Sequence, residues 1–326
     1  MGHAWIDMKN NKKIIIIAEA CQNHKGDLNI LHDMIYAAQD AGADYIKIQS
    51  MLADDLTFRP QFEEGIVEGS QIKAIKRPYK PEYQRLKPLD LDDEAHIWFI
   101  EECRRAGIKP LTTLFSLSRL DFICSLNWDE IKVASYDCAS YPLLKKLKKR
   151  FRHLYISTGA TYDSELQQSA ALLKGHSFSF LHCVTIYPTP LTEIHLKRID
   201  WLRQFTPSVG FSDHSLVERD GLKASLAAIY FGADAIERHF TILKSEQTKD
   251  GPISITPAQI KELVEFGQRT KKEQKKYLDE HVPEYSLMLG AVTRELTDLE
   301  KLNRDYYRGR FSLKKDDQTI YNWDEG

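Results

Sequence analysis

Eight short apolar runs, each followed by a longer segment of helical periodicity, occupy this chain from about residue 14 to about residue 280. The runs are mostly continuous rather than alternating in polarity, which is typical of parallel strands covered by helices. They lie at 14–20, 44–50, 109–115, 130–135, 153–159, 178–184, 208–214 and 235–242. Eight strand–helix units predict an α/β protein with a (β/α)₈ TIM barrel. An open doubly wound sheet is the alternative, and it is disfavoured because no G-x-G-x-x-G motif follows the first run.

The segments between these runs predict helices and two departures from the repeat. Amphipathic patterns lie at 28–41, 92–106, 164–173, 217–231 and 257–278, and Gly42, Gly107 and Gly232 stand where C-terminal capping glycines belong. Residues 52–90 form a long connection after the second strand, and such insertions at a barrel mouth are often lids or substrate loops. We therefore predict a barrel domain at 1–282 and a short, linker-like C-terminal arm at 283–326, packed on the barrel or on a second subunit.

Composition excludes several classes of protein. The 326 residues have a formal net charge of −2, with 42% hydrophobic and 28% charged residues, so neither a nucleic-acid nor a membrane partner is expected. The five cysteines are scattered, with no C-x-x-C pair, which favours a reducing compartment. The first residues lack the apolar core of a signal peptide, and no window approaches a membrane span in apolar length. These features predict a cytoplasmic protein.

Polar side chains follow every predicted strand, at the end of the barrel where catalytic residues gather. Lys47 and Lys132 lie within apolar strands, "YIKIQS" and "EIKVAS", and lysine is almost never buried without a partner. Beside Ser135, Ser157 and Ser212 they predict a binding site for a phosphate or carboxylate. A Schiff-base lysine and lysines paired with buried carboxylates remain alternatives.

Two histidines and one glutamate suggest further chemistry. His214 and His239 end the neighbouring seventh and eighth strands, so that they could share a divalent ion such as Mn²⁺ or Mg²⁺. Hydrogen-bonded core histidines are the alternative. Glu19 ends the first strand and could act as a general base, or pair with one of the lysines.

Taken together, these segments resemble the sialic acid synthase family, which comprises the N-acetylneuraminate, legionaminate and pseudaminate synthases. The matching stretches occur in the family's order: "IIAEACQNHKGDL", "AAQDAGADYIKIQS", "LTTLFS", "IKVASYD", "ISTGA", "LHCVTIYPTP", "VGFSDHSL", "FGADAIERHFT" and "GPISITP". Each stretch alone is a weak signal, whereas the ordered set is specific and spans nearly the whole barrel.

The resemblance implies a transferase and assigns residues to roles. In this family C3 of phosphoenolpyruvate attacks the aldehyde of an N-acetylated amino sugar, a divalent metal polarises that aldehyde, and phosphate leaves by C–O cleavage. It implies the metal ligands His214 and His239, the catalytic residues Glu19 and Asp250, and a homodimer. The phosphoenolpyruvate-binding residues it implies are Lys47, Thr113, Lys132, Ser135, Ser157, Thr185, Tyr187 and Ser212.

The chain departs from the family pattern on the side of the acceptor sugar. The family usually has an Asp-His pair after the eighth strand, whereas here Asp250 is followed by Gly251. The family also ends in an antifreeze-like domain, of which this sequence shows no complete copy. An alternative function is therefore a phosphoenolpyruvate-binding barrel that acts on a different aldose or needs a partner protein to complete its acceptor site.

Overall fold

A computed structural model, which describes residues 13–324, contains a closed barrel of eight parallel strands. The barrel strands are β1 (Ile15–Glu19), β2 (Tyr45–Ser50), β5 (Lys109–Leu114), β6 (Glu130–Val133), β7 (His153–Ser157), β8 (Phe178–Cys183), β9 (Val209–Asp213) and β10 (Ala235–His239). Two hairpins lie outside the barrel, β3 (Ile66–Glu68) with β4 (Gln71–Ala74), and β11 (Leu313–Lys315) with β12 (Gln318–Ile320). The barrel closes where β1 pairs with β10, which confirms the predicted (β/α)₈ fold.

All eight predicted strands are present, although several end one to three residues earlier than predicted. Ser135, Gly159, Thr185 and His214 consequently lie in the loops just beyond β6, β7, β8 and β9. These loops are at the carboxyl ends of the strands, the end of the barrel that we call the mouth.

Twelve helices lie between and after the strands in the described part of the chain. They are α1 (Leu28–Asp40), α2 (Tyr79–Leu86), α3 (Asp93–Ala106), α4 (Leu120–Ser125), α5 (Tyr141–Leu147), α6 (Asp163–Leu172), α7 (Arg198–Leu202), α8 (Val217–Asp220), α9 (Lys223–Tyr230), α10 (Pro257–Gln268), α11 (Lys271–His281) and α12 (Asp298–Tyr307). The capping prediction holds at all three glycines, since Gly42, Gly107 and Gly232 follow the ends of α1, α3 and α9 in the left-handed conformation, at φ 88°, 81° and 95°.

Two of the predicted helices are wrong in extent, because each is divided in two. The segment 217–231 breaks at Gly221, whose φ of 55° cannot continue a right-handed helix and separates α8 from α9. The segment 257–278 breaks before Thr270, whose Oγ1 accepts from the backbone N–H of Glu273 and so starts α11 afresh.

The two-residue alternation of side chains along each strand determines which of them line the barrel interior and form the site. The lower part of the interior is filled by one group of side chains: Ile17, Tyr45, Leu111, Tyr155, Leu181 and Ala235. Side chains two positions apart on a strand share a face. The next inward positions towards the mouth are therefore Glu19, Lys47, Thr113, Ser157, Cys183 and Glu237. An apolar floor thus supports a polar layer at the mouth.

The insertion at 52–90 and the C-terminal arm meet at the mouth. The insertion contains the β3–β4 hairpin and α2, and its Phe62 ring packs edge-on against Tyr306 of α12 at 5.1 Å between centroids. On the arm, Asn303 Nδ2 donates to the carbonyl of Thr185 at 2.9 Å, and Asn322 Nδ2 donates to the carbonyl of Phe115 at 3.0 Å. The arm therefore packs against strand ends of its own barrel.

Across residues 13–324, no helix combines the length and the apolar composition needed to cross a bilayer. All five cysteines are free thiols. The first twelve residues, from which the absence of a signal peptide was predicted, lie outside the described part of the chain.

Candidate active site

Glu19, Lys47 and Thr113 form one half of the polar layer, at the ends of β1, β2 and β5. The Lys47 ammonium group pairs with the Glu19 carboxylate, and each side chain is only 3% exposed. Lys47 Nζ also donates to Thr113 Oγ1 at 2.8 Å. The alternative of a lysine paired with a buried carboxylate is therefore present in the structure, at the place where the anion site was predicted.

Lys132, Ser157, Ser212 and Glu237 form the other half. Lys132 Nζ donates to Ser157 Oγ at 2.6 Å and lies 3.7 Å from Glu237 Oε1, which accepts from Ser212 Oγ at 2.8 Å. Glu237 was not assigned a role from the sequence. The sequence signal that could have identified Glu237 is its position two residues before His239 in "AIERH". That spacing places both side chains on the same face of the strand, towards the barrel interior.

This lysine cluster, which we define as Glu19, Lys47, Lys132 and Glu237 with their hydroxyl partners, is electrostatically constrained. Burial is the main cause that lowers the pKa of Lys47 to about 7; the nearby charge of Glu237 opposes this shift, and that of Lys132 adds to it. Among residues 13–324, Glu19 Oε1 and Glu237 Oε2 are buried without a hydrogen-bond partner, whereas Glu19 Oε2 is the oxygen that pairs with Lys47. Since buried polar atoms are normally satisfied, these atoms indicate a place where a bound molecule or water completes the hydrogen bonding.

A second group, the histidine cluster, lies beside the first and contains Cys21, Tyr187, His214, His239 and Asp250. The ring centroids of His214 and His239 are 5.3 Å apart, and the hydroxyl of the half-exposed Tyr187 lies 3.1 Å from His214 Nε2. His239 Nδ1 is buried and has no hydrogen-bond partner in the described part of the chain. Tyr187, predicted among the anion-binding residues, is thus placed next to a histidine rather than next to the lysines.

Cys21 was missed by the sequence analysis, which counted it only among scattered cysteines. Its Sγ donates to Asp250 Oδ2 at 3.0 Å, and Gln49 Nε2 donates to Sγ at 3.1 Å. One potential ligand atom from each of Cys21, His239 and Asp250 lies within 4.8 Å of the other two. The local sequence signal was that Cys21 lies two residues after Glu19, the last residue of β1.

Ser135, Thr185 and Cys183 connect the two clusters. Ser135 Oγ lies 3.5 Å from Cys183 Sγ, which is 3.7 Å from His214 Nδ1. A Cβ on Gly159 would stand 2.4 Å from Thr185 Cγ2 and 2.9 Å from Ser135 Oγ, so these groups are in close contact around the glycine. All the site residues inferred from sequence therefore reach one mouth, while their individual roles stay predictions.

Gly251 has a structural explanation. A Cβ at this position would lie 1.9 Å from the carbonyl oxygen of Ser245, a backbone atom that cannot move aside as a side chain can. The loop after β10 folds back on itself here, so that no larger side chain fits after Asp250. The departure from the Asp-His pattern is thus built into the shape of this loop.

A buried ion pair between Asp213 of β9 and Arg238 of β10, next in sequence to His214 and His239, holds the ends of these two strands together. Asp213 and Arg238 are both fully buried and paired, and Arg238 Nη1 donates to Ser215 Oγ at 2.8 Å. Asp213 Oδ2 also accepts from Ser225 Oγ at 2.6 Å. Since Asp213 adjoins His214 and Arg238 adjoins His239, this pair fixes the backbone that carries both rings.

Comparison with known proteins identifies relatives of one type. A model described as the NeuB family matches residues 34–277. The chain is 34% identical over 266 residues to an N,N'-diacetyllegionaminic acid synthase of Campylobacter jejuni, a match covering 77% of this chain and 75% of that protein. It is 31% identical over 314 residues to the enzyme of the same name from Legionella pneumophila, covering 92% and 83% respectively.

Solved structures point the same way. The crystal structure of a sialic acid synthetase from Leptospira borgpetersenii, in complex with citrate, matches with a TM-score of 0.68 and 26% identity. The match covers 92% of this chain and 95% of that chain. The resemblance found in the sequence motifs is therefore confirmed by independent comparisons of sequence and of fold.

Proposed function

The chain belongs to the NeuB family, and on this premise we propose that it is a transferase that joins phosphoenolpyruvate to an N-acetylated amino-sugar aldehyde resembling N-acetylmannosamine. In the proposed reaction C3 of phosphoenolpyruvate forms a bond to the aldehyde carbon. Water adds at C2, and the C2–O bond to phosphate breaks. The products are a nonulosonic, sialic-type 2-keto acid and inorganic phosphate. Several relatives are named as synthases of such acids, which supports this reaction class.

The observation that carries the proposal is the buried lysine cluster. Phosphoenolpyruvate has a phosphate and a carboxylate, and it would be met by two ammonium groups, Lys47 and Lys132, that are each 3% exposed. Buried hydroxyl groups in this layer and in the loops just beyond it can donate to its remaining oxygens: Thr113, Ser157 and Ser212 in the layer, and Ser135 and Thr185 in the loops. Charge-assisted hydrogen bonds of this kind are roughly twice as strong as neutral ones, which favours a compact, multiply charged anion over a neutral sugar at this position.

Glu19 is the proposed acid–base residue. Its carboxylate lies between the two clusters, because Glu19 pairs in register with Lys47 on one side and with His239 on the other. Within residues 13–324, Glu19 Oε1 has no hydrogen-bond partner and Oε2 pairs with Lys47, so the carboxylate can still accept from a water or an acceptor hydroxyl. Asp250 is the proposed acceptor-side residue, beside His239 at the rim.

The histidine cluster fits a divalent cation. The unpartnered His239 Nδ1, the neighbouring His214 ring and the Asp250 carboxylate are nitrogen and oxygen donors of the kind that bind such ions. His214 and His239 would hold the ion, predicted as Mn²⁺ or Mg²⁺, which when bound acts as a Lewis acid on the aldehyde. The cytoplasmic location and the homodimer stay predictions from the sequence, and light scattering of the purified chain tests the latter.

Phosphate release tests the proposal directly. The purified chain is incubated with phosphoenolpyruvate, a divalent metal and a panel of N-acetylated amino sugars, their phosphates and other aldoses. We expect phosphate to appear only when all three components are present. Lys132→Met should abolish release and weaken phosphoenolpyruvate binding in calorimetry, whereas Lys174→Met, at an exposed lysine, should not. Glu19→Gln should lose turnover and retain binding.

Binding of phosphoenolpyruvate without phosphate release for any aldehyde would reject the proposed reaction. It would favour the alternative of a barrel that binds phosphoenolpyruvate and needs a partner protein. Unchanged binding in Lys132→Met would reject the assignment of the lysine cluster itself.

A further inference from the structure

We propose that Cys21 is a metal ligand in this chain and that, with His239 and Asp250, it forms a three-residue site containing a thiolate. The residues lie far apart in sequence and meet only at the mouth, where their potential ligand atoms all lie within 4.8 Å of one another. The inference rests on the proposed function for the role of the ion. The position and the ligand set rest on the geometry alone.

The distances suit a single ion. Zn²⁺ lies about 2.3 Å from sulfur and about 2.0–2.2 Å from nitrogen or oxygen, so ligand atoms of a tetrahedral site are about 3.5 Å apart. Cys21 Sγ and Asp250 Oδ2 are 3.0 Å apart, and the widest separation in the group is within 4.8 Å. Side-chain movements of about an ångström would bring all three atoms to bonding distance.

The existing hydrogen bonds do not account for this arrangement. A thiol is a weak donor, so the Cys21 contact satisfies the Asp250 oxygen poorly, and His239 Nδ1 next to it has no partner. Gln49 Nε2 donates to Cys21 Sγ at 3.1 Å. The Gln49 amide could donate the same hydrogen bond to a Cys21 thiolate. Hydrogen bonds made to metal ligands orient those ligands and tune their affinity for the ion.

The surrounding structure holds the three residues together. Fully buried Asn23, two residues after Cys21, donates through Nδ2 to the carbonyl of Phe240 at 2.8 Å and to Ser254 Oγ at 2.9 Å. Ser254 Oγ in turn donates to the carbonyl of Asp250 at 2.6 Å. Asn23 therefore ties the turn of Cys21 to the end of β10 and to the loop of Asp250.

This ligand set differs from the pair of histidines inferred from sequence. The two sets share His239 and would hold the same ion, so this proposal replaces His214 by Cys21 and Asp250; the hydroxyl of Tyr187 lies 3.1 Å from His214 Nε2. A thiolate ligand favours softer ions such as Zn²⁺, Co²⁺ or Fe²⁺ over Mg²⁺ and Mn²⁺. Three protein ligands with one open position are the arrangement of catalytic zinc sites, in which water or substrate completes the coordination.

Cobalt spectroscopy of the full chain tests the ligand independently of turnover. The protein is stripped with a chelator and titrated with Co²⁺, because a thiolate bound to Co²⁺ produces a charge-transfer band in the near ultraviolet. We expect the band in the native chain and in Cys124→Ser, a control at a partly exposed cysteine of helix α4. It should be absent in Cys21→Ser, and Co²⁺ affinity there should fall on the order of tenfold or more.

A further variant tests whether the other nearby thiol, that of Cys183, is the source of the charge-transfer band. Cys183 Sγ lies 3.7 Å from His214 Nδ1, so Cys183→Ser must retain the band if Cys21 is the ligand. Asp250→Asn, which keeps the thiol, should retain the band and bind Co²⁺ more weakly. Circular dichroism and thermal melting of each variant establish that it is folded.

The outcomes separate the two proposals. A native chain without the band, a band that survives in Cys21→Ser, or one lost only in Cys183→Ser overturns the Cys21 assignment even if phosphate is released. A Cys21-dependent band without phosphate release supports the metal site and refutes only the proposed reaction.

Discussion

Breaking the ion pair between Lys47 and Glu19 should destabilise the barrel by an amount that depends on pH. Lys47→Met leaves the Glu19 carboxylate buried, with neither oxygen hydrogen-bonded. Removing one partner of a buried pair typically costs about 3–5 kcal/mol. Protonation limits the loss, because neutralising a glutamate of ordinary pKa about 4.3 at pH 7 costs about 1.36 × 2.7, or roughly 3.7 kcal/mol. We therefore expect a loss of up to about 3–4 kcal/mol at pH 7, an upper bound because burial disfavours the charged form of Lys47 and lowers its pKa to about 7.

The sign of the pH dependence follows from the same reasoning. In Lys47→Met the folded-state pKa of Glu19 rises above its unfolded value, so the folded protein binds more protons and is relatively stabilised by acid. The deficit against the native chain should therefore grow from near zero at about pH 4 to its full size near pH 7. At about 2.1 cal/mol/K per residue over 326 residues, a loss of 3.5 kcal/mol lowers the melting temperature by about 5 °C.

Thermal melting and denaturant unfolding across this pH range provide the measurement. The double variant Lys47→Met/Glu19→Gln removes both charges and should recover most of the loss, because two uncharged groups need no compensation. Lys275→Met is the matched control, since it breaks a 2.6 Å pair with Asp279 in which both side chains are about half exposed. That control should cost under about 1 kcal/mol. A Lys47→Met deficit that is absent, or constant with pH, would refute the reasoning.

Three further changes have expected outcomes. Gly159→Ala should weaken phosphoenolpyruvate binding on the order of tenfold in calorimetry, because its Cβ would stand 2.4 Å from Thr185 Cγ2; an unchanged affinity would show that the contact yields without cost. Burial lowers the pKa of His182 to about 3, below its unfolded value of about 6.5. The free energy of unfolding should therefore fall as pH decreases from about 6.5 towards 3, because the unfolded state binds a proton that the folded state does not. His182→Gln should lower the slope of unfolding free energy against pH by up to about 1.4 kcal/mol per unit, and an equal slope would contradict this. Gly251→Ala should lower the melting temperature by the equivalent of about 1–3 kcal/mol, because of its clash with the Ser245 carbonyl, and a neutral result would show that the loop can open.

The fold and the lysine cluster could be predicted because both follow from local pattern. A strand buried on both sides is apolar throughout, so Lys47 and Lys132 stand out within their runs, and the same period that points Tyr45 inward points Lys47 inward. The two helix breaks, at Gly221 and before Thr270, could not be predicted from local pattern. Gly221 lies within a pattern that stays amphipathic on either side of it, and only the backbone conformation shows the interruption.

The histidine cluster was predicted only in part. His214 and His239 end adjacent strands, which made their proximity inferable, whereas Cys21 and Asp250 are 229 positions apart and neither belongs to a strand. A cysteine after a buried strand is most often an ordinary core residue, so nothing local distinguished Cys21. Its environment depends on a turn tied to a distant loop through Asn23.

Sequence by itself determined which side chains face the barrel interior, because the two-residue period is a property of each strand alone. It therefore determined that a polar layer stands on an apolar floor at the mouth. Only the tertiary structure decided which members of that layer touch. Closure of the barrel brings Glu19 level with His239, and the loop after β10 brings Asp250 to Cys21. These contacts join residues more than two hundred positions apart, and such pairings are set by the register of the closed sheet rather than by any local preference.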